Sequence, residues 1–323
     1  MRVAVTGGAG RLGNALVRAL SKRGDEVRVL DLGDPRSLAG LGVDLRQGSV
    51  TDRAEVDALV DGVDRVFHVA AKIDLERDRD GSTWRVNVEG TRVVAEACRA
   101  FGARMVHVSS HAALDRLPWT EPLDERRPLA LRDKCDYHRS KAHAERLVLQ
   151  LADDGLDATV VNPGTLTGPL DFEPSLLGRA LMDLHRGKIP LLLDAITDYA
   201  DVRDVAAATL AAAEHGRRGE RYLLTGDVLD MRAMLALLGR VTQKRMPKTV
   251  LPLWVGWAAL PLTLAAGRLR GETPVFTAGT LRAAVSNVSV CRDKATRELG
   301  FTLRPMDTSF ADAFSFYREQ GWL

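Results

Sequence analysis

The segment Thr6-Gly7-Gly8-Ala9-Gly10-Arg11-Leu12-Gly13 constrains this chain most strongly. It follows a short apolar run, Arg2 to Thr6, and leads into Leu12, Ala15, Leu16, Ala19 and Leu20. Those five recur at i, i+3, i+4, i+7 and i+8, which places them on one face of a helix ending at Gly24. Strand, glycine turn and helix therefore follow one another directly. Without side chains, Gly7, Gly10 and Gly13 let the backbone turn tightly and approach a pyrophosphate. The helix start adds free N–H groups and a positive dipole end. Gly7, Gly10, Arg11, Leu12 and Gly13 are the expected contacts. Glycine spacing alone also fits a plain tight turn, and the strand–turn–helix context is what favours dinucleotide binding.

The same alternation continues. Glu26 to Leu30, a weak Val43 to Gln47, Arg65 to Val69, Arg104 to Val108 and Thr159 to Val161 read as strands. Ala54 to Val60, Val86 to Ala100 and Tyr137 to Ala152 read as helices between them. Repeated β–α units imply an α/β fold, a Rossmann-type doubly wound parallel sheet with right-handed crossovers. The second half is less regular, with Pro163, Gly164, Gly168, Pro169 and Pro174 in a loop-rich passage. The expected division is a dinucleotide-binding domain over 1–165 and a smaller C-terminal substrate-binding lobe over 166–323. Part of the latter, about 191–225, returns to the sheet.

Asp31 ends the second strand, 18 residues after Gly13. A carboxylate there can accept hydrogen bonds from both adenosine ribose hydroxyls and repels a 2′-phosphate. Two unit charges near 4 Å at an effective dielectric of about 20 interact by about 4 kcal/mol. NAD is therefore expected in preference to NADP, unless Arg11 or Arg36 supplies a compensating cation. A solvated turn residue before Gly33 is the plain alternative.

Tyr137 and Lys141 stand at i and i+4, on one helix face. An ammonium beside a phenol favours phenolate and lowers its pKa from about 10. Ser109 and Ser110 follow the fifth strand, at the carboxyl edge where such sheets place ligands. Each feature alone is common. Glycine turn, strand-end Asp, strand-end Ser and YxxxK in this order are much more specific.

Together with VFHVAA (66–71), NVEGT (87–91), VSS (108–110), YHRSKAHAE (137–145), NPGTLTGP (162–169), DVRDVA (201–206) and GERYLLTG (219–226), these residues resemble the extended short-chain dehydrogenase/reductase family. The resemblance covers nearly the whole chain and is nearest the dihydroflavonol-reductase-like branch, with 3β-hydroxysteroid dehydrogenases close by. It implies that Tyr137 is the general acid/base, that Lys141 holds the nicotinamide ribose and lowers the Tyr137 pKa, and that Ser110 orients the substrate oxygen, with Ser109 as the neighbouring candidate. It also implies that Ala70 and Ala71 lie along the cofactor, Asn87 near it and Pro163 near the nicotinamide. Where the family often has Gly-Asp, with the Asp at the adenine, this chain has Gly48-Ser49, and Asp52 three residues on.

The expected activity is NAD(P)-dependent hydride transfer to or from a carbonyl or secondary alcohol. A nucleotide-sugar epimerase or dehydratase is the alternative, with Arg179, His185, Arg186 and Lys188 as candidate diphosphate ligands. A non-catalytic dinucleotide sensor is the second. Lys plus Arg number 45 and Asp plus Glu 43, a net charge of +2 that gives no general attraction to nucleic acid. Cys98, Cys135 and Cys291 are scattered, which argues against a disulfide framework or zinc site and fits a cytoplasmic protein. The expected partners are a small-molecule substrate and a second copy in a homodimer. The uncharged stretch 251–266, broken by Pro252 and Pro261, is too short to span a bilayer. It reads as a buried or pocket-lining helix pair, or as a lipid-facing surface suited to a hydrophobic substrate. His111 and the loop 117–134, with Trp119, are either ordinary surface or substrate-facing.

Overall fold

The computed structural model describes all residues except 76, 190, 271–276, 284–286 and 288. The chain opens with β1 (Arg2–Thr6), α1 (Arg11–Lys22), β2 (Glu26–Asp31), β3 (Asp44–Gln47), α2 (Arg53–Val60) and β4 (Arg65–His68). A short α3 (Ser82–Trp84) continues through a π-helical turn, Arg85–Gly90, into α4 (Thr91–Phe101). Then come β5 (Arg104–Val108), α5 (Asp136–Asp153), β6 (Ala158–Pro163), β7 (Thr165–Thr167), α6 (Leu176–His185), β8 (Leu191–Leu193) and β9 (Ile196–Asp201). They are followed by α7 (Val202–His215), β10 (Arg221–Leu224), β11 (Asp227–Asp230), α8 (Met231–Thr242) and β12 (Thr249–Leu251). The last helices are α9 (Leu253–Arg270), α10 (Ala278–Ala283), α11 (Asp293–Leu299) and α12 (Met306–Glu319).

The main sheet has seven parallel strands in the order β10-β6-β5-β4-β1-β2-β3. Successive strand residues point to opposite faces. Val3 and Val5 therefore join one apolar layer with Leu16, Leu20 and Val205, while Ala4 joins another with Leu59, Val94 and Val148. The strand order reverses between β1 and β4. In such sheets the ligand crevice lies at the carboxyl ends of the strands beside that reversal. Gly7, Asp31, Ala70, Ser109 and Pro163 all stand at carboxyl ends.

Of the stretch 191–225, β10 adds an edge strand beside β6 and α7 packs on α1. By contrast β9 lies between β11 and β7 in a three-stranded sheet, and β8 pairs with β12. Leu181, Leu238, Phe310, Phe314 and Tyr317, from α6, α8 and α12, form the lobe's own apolar core.

The stretch 251–266 departs from the buried helix pair. Leu251 ends β12, and from Leu253 on the chain is a single helix, α9, running through Pro261, with Trp254, Trp257 and Leu262 exposed. The reason is local. Gly256 faces the protein, against Leu193 and Leu281, so at about 100° per residue Trp254, Trp257 and Leu262 fall on other faces of the helix and project outward. Among the described residues no helix is long and apolar enough to cross a membrane.

Candidate active site

The glycine turn is shaped by contacts that admit no side chain. Gly7 has φ +73°, and a β-carbon there would lie 2.6 Å from the Ala70 nitrogen. Gly10 is the N-cap of α1, has no side-chain cap and is exposed, and the first turn carries no acidic residue. The first N–H groups of α1 are thus open to an anion. A cradle that a β-carbon would fill, set before an uncapped helix start, fits the diphosphate of a dinucleotide.

Asp31 closes the rim. Its carboxylate accepts hydrogen bonds from the backbone of Ala9 at 2.7 Å and Gly33 at 2.6 Å. About four acceptor positions on a carboxylate leave room for ribose hydroxyls as well. Arg11 turns elsewhere: its guanidinium donates to the Leu166, Gly168 and Pro169 carbonyls and lies near Asp171. It joins the glycine turn to the lobe, which sequence reasoning missed. Arg36 is paired with Asp34. The Ser49 backbone N–H donates to Glu55 at 2.6 Å, and Asp52 caps α2. Leu12 is buried in the core behind the turn.

Asn87 is buried and its amide bridges two pieces of the crevice. It accepts from the Lys72 N–H at 2.8 Å, and donates to the Lys72 carbonyl at 3.0 Å and to Ser140 Oγ at 2.9 Å. The chain just after Ala70 and Ala71 is thereby fastened to the helix bearing Tyr137. Ala70 N–H donates to Thr6 Oγ1 at 3.3 Å. Pro163 is buried at the end of β6, beside Leu224.

Ser110 and Tyr137 are brought together. Burial pushes the Tyr137 phenol up to about 12, and a hydrogen bond with the Ser110 side chain pulls the other way. This differs from the expected lowering by Lys141. The Lys141 ammonium lies one helical turn on and donates to the Val108 carbonyl at 2.7 Å. Burial lowers it to about 8, opposed by the charge of Glu145. Ser109 does not share the Ser110 role: its hydroxyl donates to buried Glu145 at 2.6 Å.

His111 pairs with Asp198, which has no exposed surface, at 3.0 Å from Nδ1 to Oδ1. That histidine holds the Asp198 carboxyl below its ordinary range against the effect of burial. Nothing local in the sequence marks this pair. The 117–134 loop begins beside a cation–π contact of Arg116 on Trp119, at 5.0 Å, and Asn287 donates to its Pro118 and Glu121 carbonyls. Arg186 and Lys188 both approach Asp183. Among the described residues no group of three or more His, Cys, Asp or Glu could hold a metal ion.

A glycine turn of this shape at the reversal point of a seven-stranded parallel sheet, with Ser, Tyr and Lys gathered beside it, is the arrangement of a Rossmann-fold enzyme of the extended short-chain dehydrogenase type. The chain belongs to the NAD dependent epimerase/dehydratase family, whose model matches residues 3–225. It is an NAD(P)-dependent oxidoreductase or dehydratase by that membership.

Among its relatives is sterol demethylase protein B of Methylococcus capsulatus, 34% identical over all of both chains. Another is the 4-hydroxy-2-methyl-3-oxo-4-farnesyl-3,4-dihydroquinoline-1-oxide ketoreductase of Stigmatella aurantiaca, 35% identical over 97% of this chain and 95% of that one. The crystal structure of gox2253 superposes with a TM-score of 0.87 at 30% identity, covering 99% of each chain.

Proposed function

We propose that this protein transfers a hydride to or from a carbonyl or secondary-alcohol carbon of a hydrophobic substrate, with NAD as cofactor. The observation that carries the reading is the Ser110 side chain set against the Tyr137 phenol, pulling it down against burial, at the carboxyl edge of the sheet next to the glycine turn. Bound nicotinamide supplies or accepts the hydride. Tyr137, protonated at neutral pH, gives its proton to a carbonyl oxygen, or takes one from a carbinol in the reverse direction. Ser110 orients that oxygen. Lys141 contributes a charged donor beneath the cofactor ribose, and Gly7, Gly10, Gly13, Arg11 and Leu12 shape the turn against which the diphosphate rests. Ala70, Ala71 and Asn87 line its path, Pro163 borders the nicotinamide and Ser49 the adenine.

NAD is favoured over NADP because both candidate cations are engaged elsewhere, Arg11 with the lobe and Arg36 with Asp34. A 2′-phosphate would then face Asp31 uncompensated. A lipophilic substrate is supported by the exposed Trp254, Trp257 and Leu262, and by two relatives whose names include a sterol and a farnesyl group. Two of the cations considered for a sugar diphosphate, Arg186 and Lys188 just past the end of α6, both approach the Asp183 carboxylate on that helix, which weighs against that alternative.

The test is to incubate the enzyme with NADH and a panel of lipophilic ketones, and with NAD and the matching alcohols. Stoichiometric loss or formation of NADH is expected. Turnover of a nucleotide sugar with no net change in NADH would replace this reading with the epimerase one.

A further inference from the structure

Under the Ser110–Tyr137–Lys141 group lies a carboxylate to which hydride transfer assigns no part. Glu145 is fully buried on α5. Its Oε2 accepts from Ser109 Oγ at 2.6 Å and from Asn162 Nδ2 at 2.6 Å. The same Asn162 amide donates to the Ser110 carbonyl at 3.0 Å. On the other side, Oε1 is 3.1 Å from Nε of Arg221, on β10. A buried carboxylate is costly unless paired and hydrogen-bonded, and losing one partner exposes the full penalty.

The contacts fall on three consecutive residues. Lys141 grips the Val108 carbonyl, Glu145 the Ser109 hydroxyl, and Asn162 the Ser110 carbonyl. Two opposite charges one turn apart on α5 thus clamp the strand end that presents the Ser110 side chain. We propose that Glu145 is the positioning residue of this site: one buried charge that, one turn from Lys141, fixes the Ser109–Ser110 strand end. This rests on the roles given above to Ser110, Tyr137 and Lys141.

The electrostatic surroundings support it. From β4 and β5, His68 and His107 face Lys141, and burial together with the lysine charge keeps both rings neutral. The group that raises the lysine is Glu145, itself shared with Arg221. Without that carboxylate the ammonium loses its proton at a lower pH. Its hold on a ribose then fails at the alkaline end first.

Glu145→Gln tests this, since it keeps the shape and removes the charge. NADH affinity and kcat/KM for a fixed ketone are measured from pH 6 to 9 in the full chain. The alkaline limb of both profiles is expected to move down by about one pH unit, a loss of about tenfold at pH 8.5 with far less at pH 6. A loss by the same factor at every pH, or an unmoved limb, would overturn the proposal.

Glu145→Asp, which keeps the charge but shortens the reach, is the second variant and stands alone if the first does not fold. It is expected to lower kcat while leaving the limb where the wild type has it, and a shifted limb there also counts against the idea. The NADH titration needs no turnover. If the wild type reduces no ketone, the hydride-transfer reading fails while the Glu145 effect is still read.

Discussion

Gly13 packs so closely on Gly7 that a β-carbon at position 13 would lie 1.9 Å from the Gly7 carbonyl oxygen. Backbone stands there, so no side chain can swing aside. Gly13→Ala must therefore push the turn out of shape, and NADH affinity is expected to fall at least about 100-fold, or about 2.7 kcal/mol. Fluorescence titration measures it. Wild-type affinity in that variant would show that the diphosphate does not rest on this turn.

Tyr137→Phe removes only the phenolic oxygen from a partly buried ring. Proton transfer by a placed side chain typically contributes about 10²–10⁴-fold, and a loss of that order in kcat is expected with NADH binding retained. Because burial holds the phenol near 12, the oxidative direction, which needs phenolate, should gain rate as pH rises above neutrality. The reductive direction should not. Near-normal turnover in the variant would remove Tyr137 from the role.

Asp31→Ser should relax cofactor choice. The carboxylate's repulsion of a 2′-phosphate is bounded by the about 4 kcal/mol for unit charges at 4 Å in a medium of dielectric about 20. The NADPH/NADH ratio of kcat/KM is expected to rise about 10- to 100-fold, the lower part of that bound. Some loss of NADH affinity should accompany it, because Asp31 also ties Ala9 to Gly33. An unchanged ratio would place the ribose elsewhere.

His68 and His107 stack with ring centroids 5.4 Å apart. Burial holds His68 near 3 and His107 well below 6.5. The unfolded chain takes up these protons below about pH 6.5 while the folded one does not, so stability is lost as pH falls through that range. Each histidine adds a slope of about 1.4 kcal/mol per pH unit. Neither ring nitrogen of His107 has a hydrogen-bond partner among the described residues. His107→Leu should therefore flatten the decline between pH 6 and 4, as urea midpoints would show, with no loss at pH 7. An unaltered slope would mean that other groups dominate acid unfolding.

Lys141→Met should stabilise the protein while abolishing its activity. Burial lowers the ammonium from 10.5 to about 8. The unfolded lysine therefore binds its proton over a range where the folded one does not, and wild-type stability should rise between pH 8 and 10. Methionine removes that rise and gains about 1–3 kcal/mol at pH 7, less the lost bond to Val108. A calorimetric comparison at pH 7 and 9.5 checks both signs. A less stable variant at pH 7 would show that the ammonium's hydrogen bond outweighs its burial.

Much of this molecule was legible from local pattern. The i, i+3, i+4 spacing of Leu12 to Leu20 and the glycines before it specify α1 and its entry turn, because helix periodicity and positive φ are properties of a few adjacent residues. The matching stretch around Asn87 pointed to the crevice, but only the fold shows its amide tying Lys72 to Ser140. The apolar 251–266 run misled, because hydrophobicity alone does not say which face finds a neighbour. Gly256 decided that.

What the sequence determined by itself was the order of strands, turns and helices, and so the class of fold and the edge of the sheet that carries chemistry. Tertiary structure alone decided that Arg11 reaches across to residues 166–169, that His111 meets Asp198, and that Glu145, Asn162 and Arg221 close beneath Ser110. Those pairings join residues far apart along the chain. They are chosen by which buried charge can find a partner after the layers have packed, and no local period encodes that.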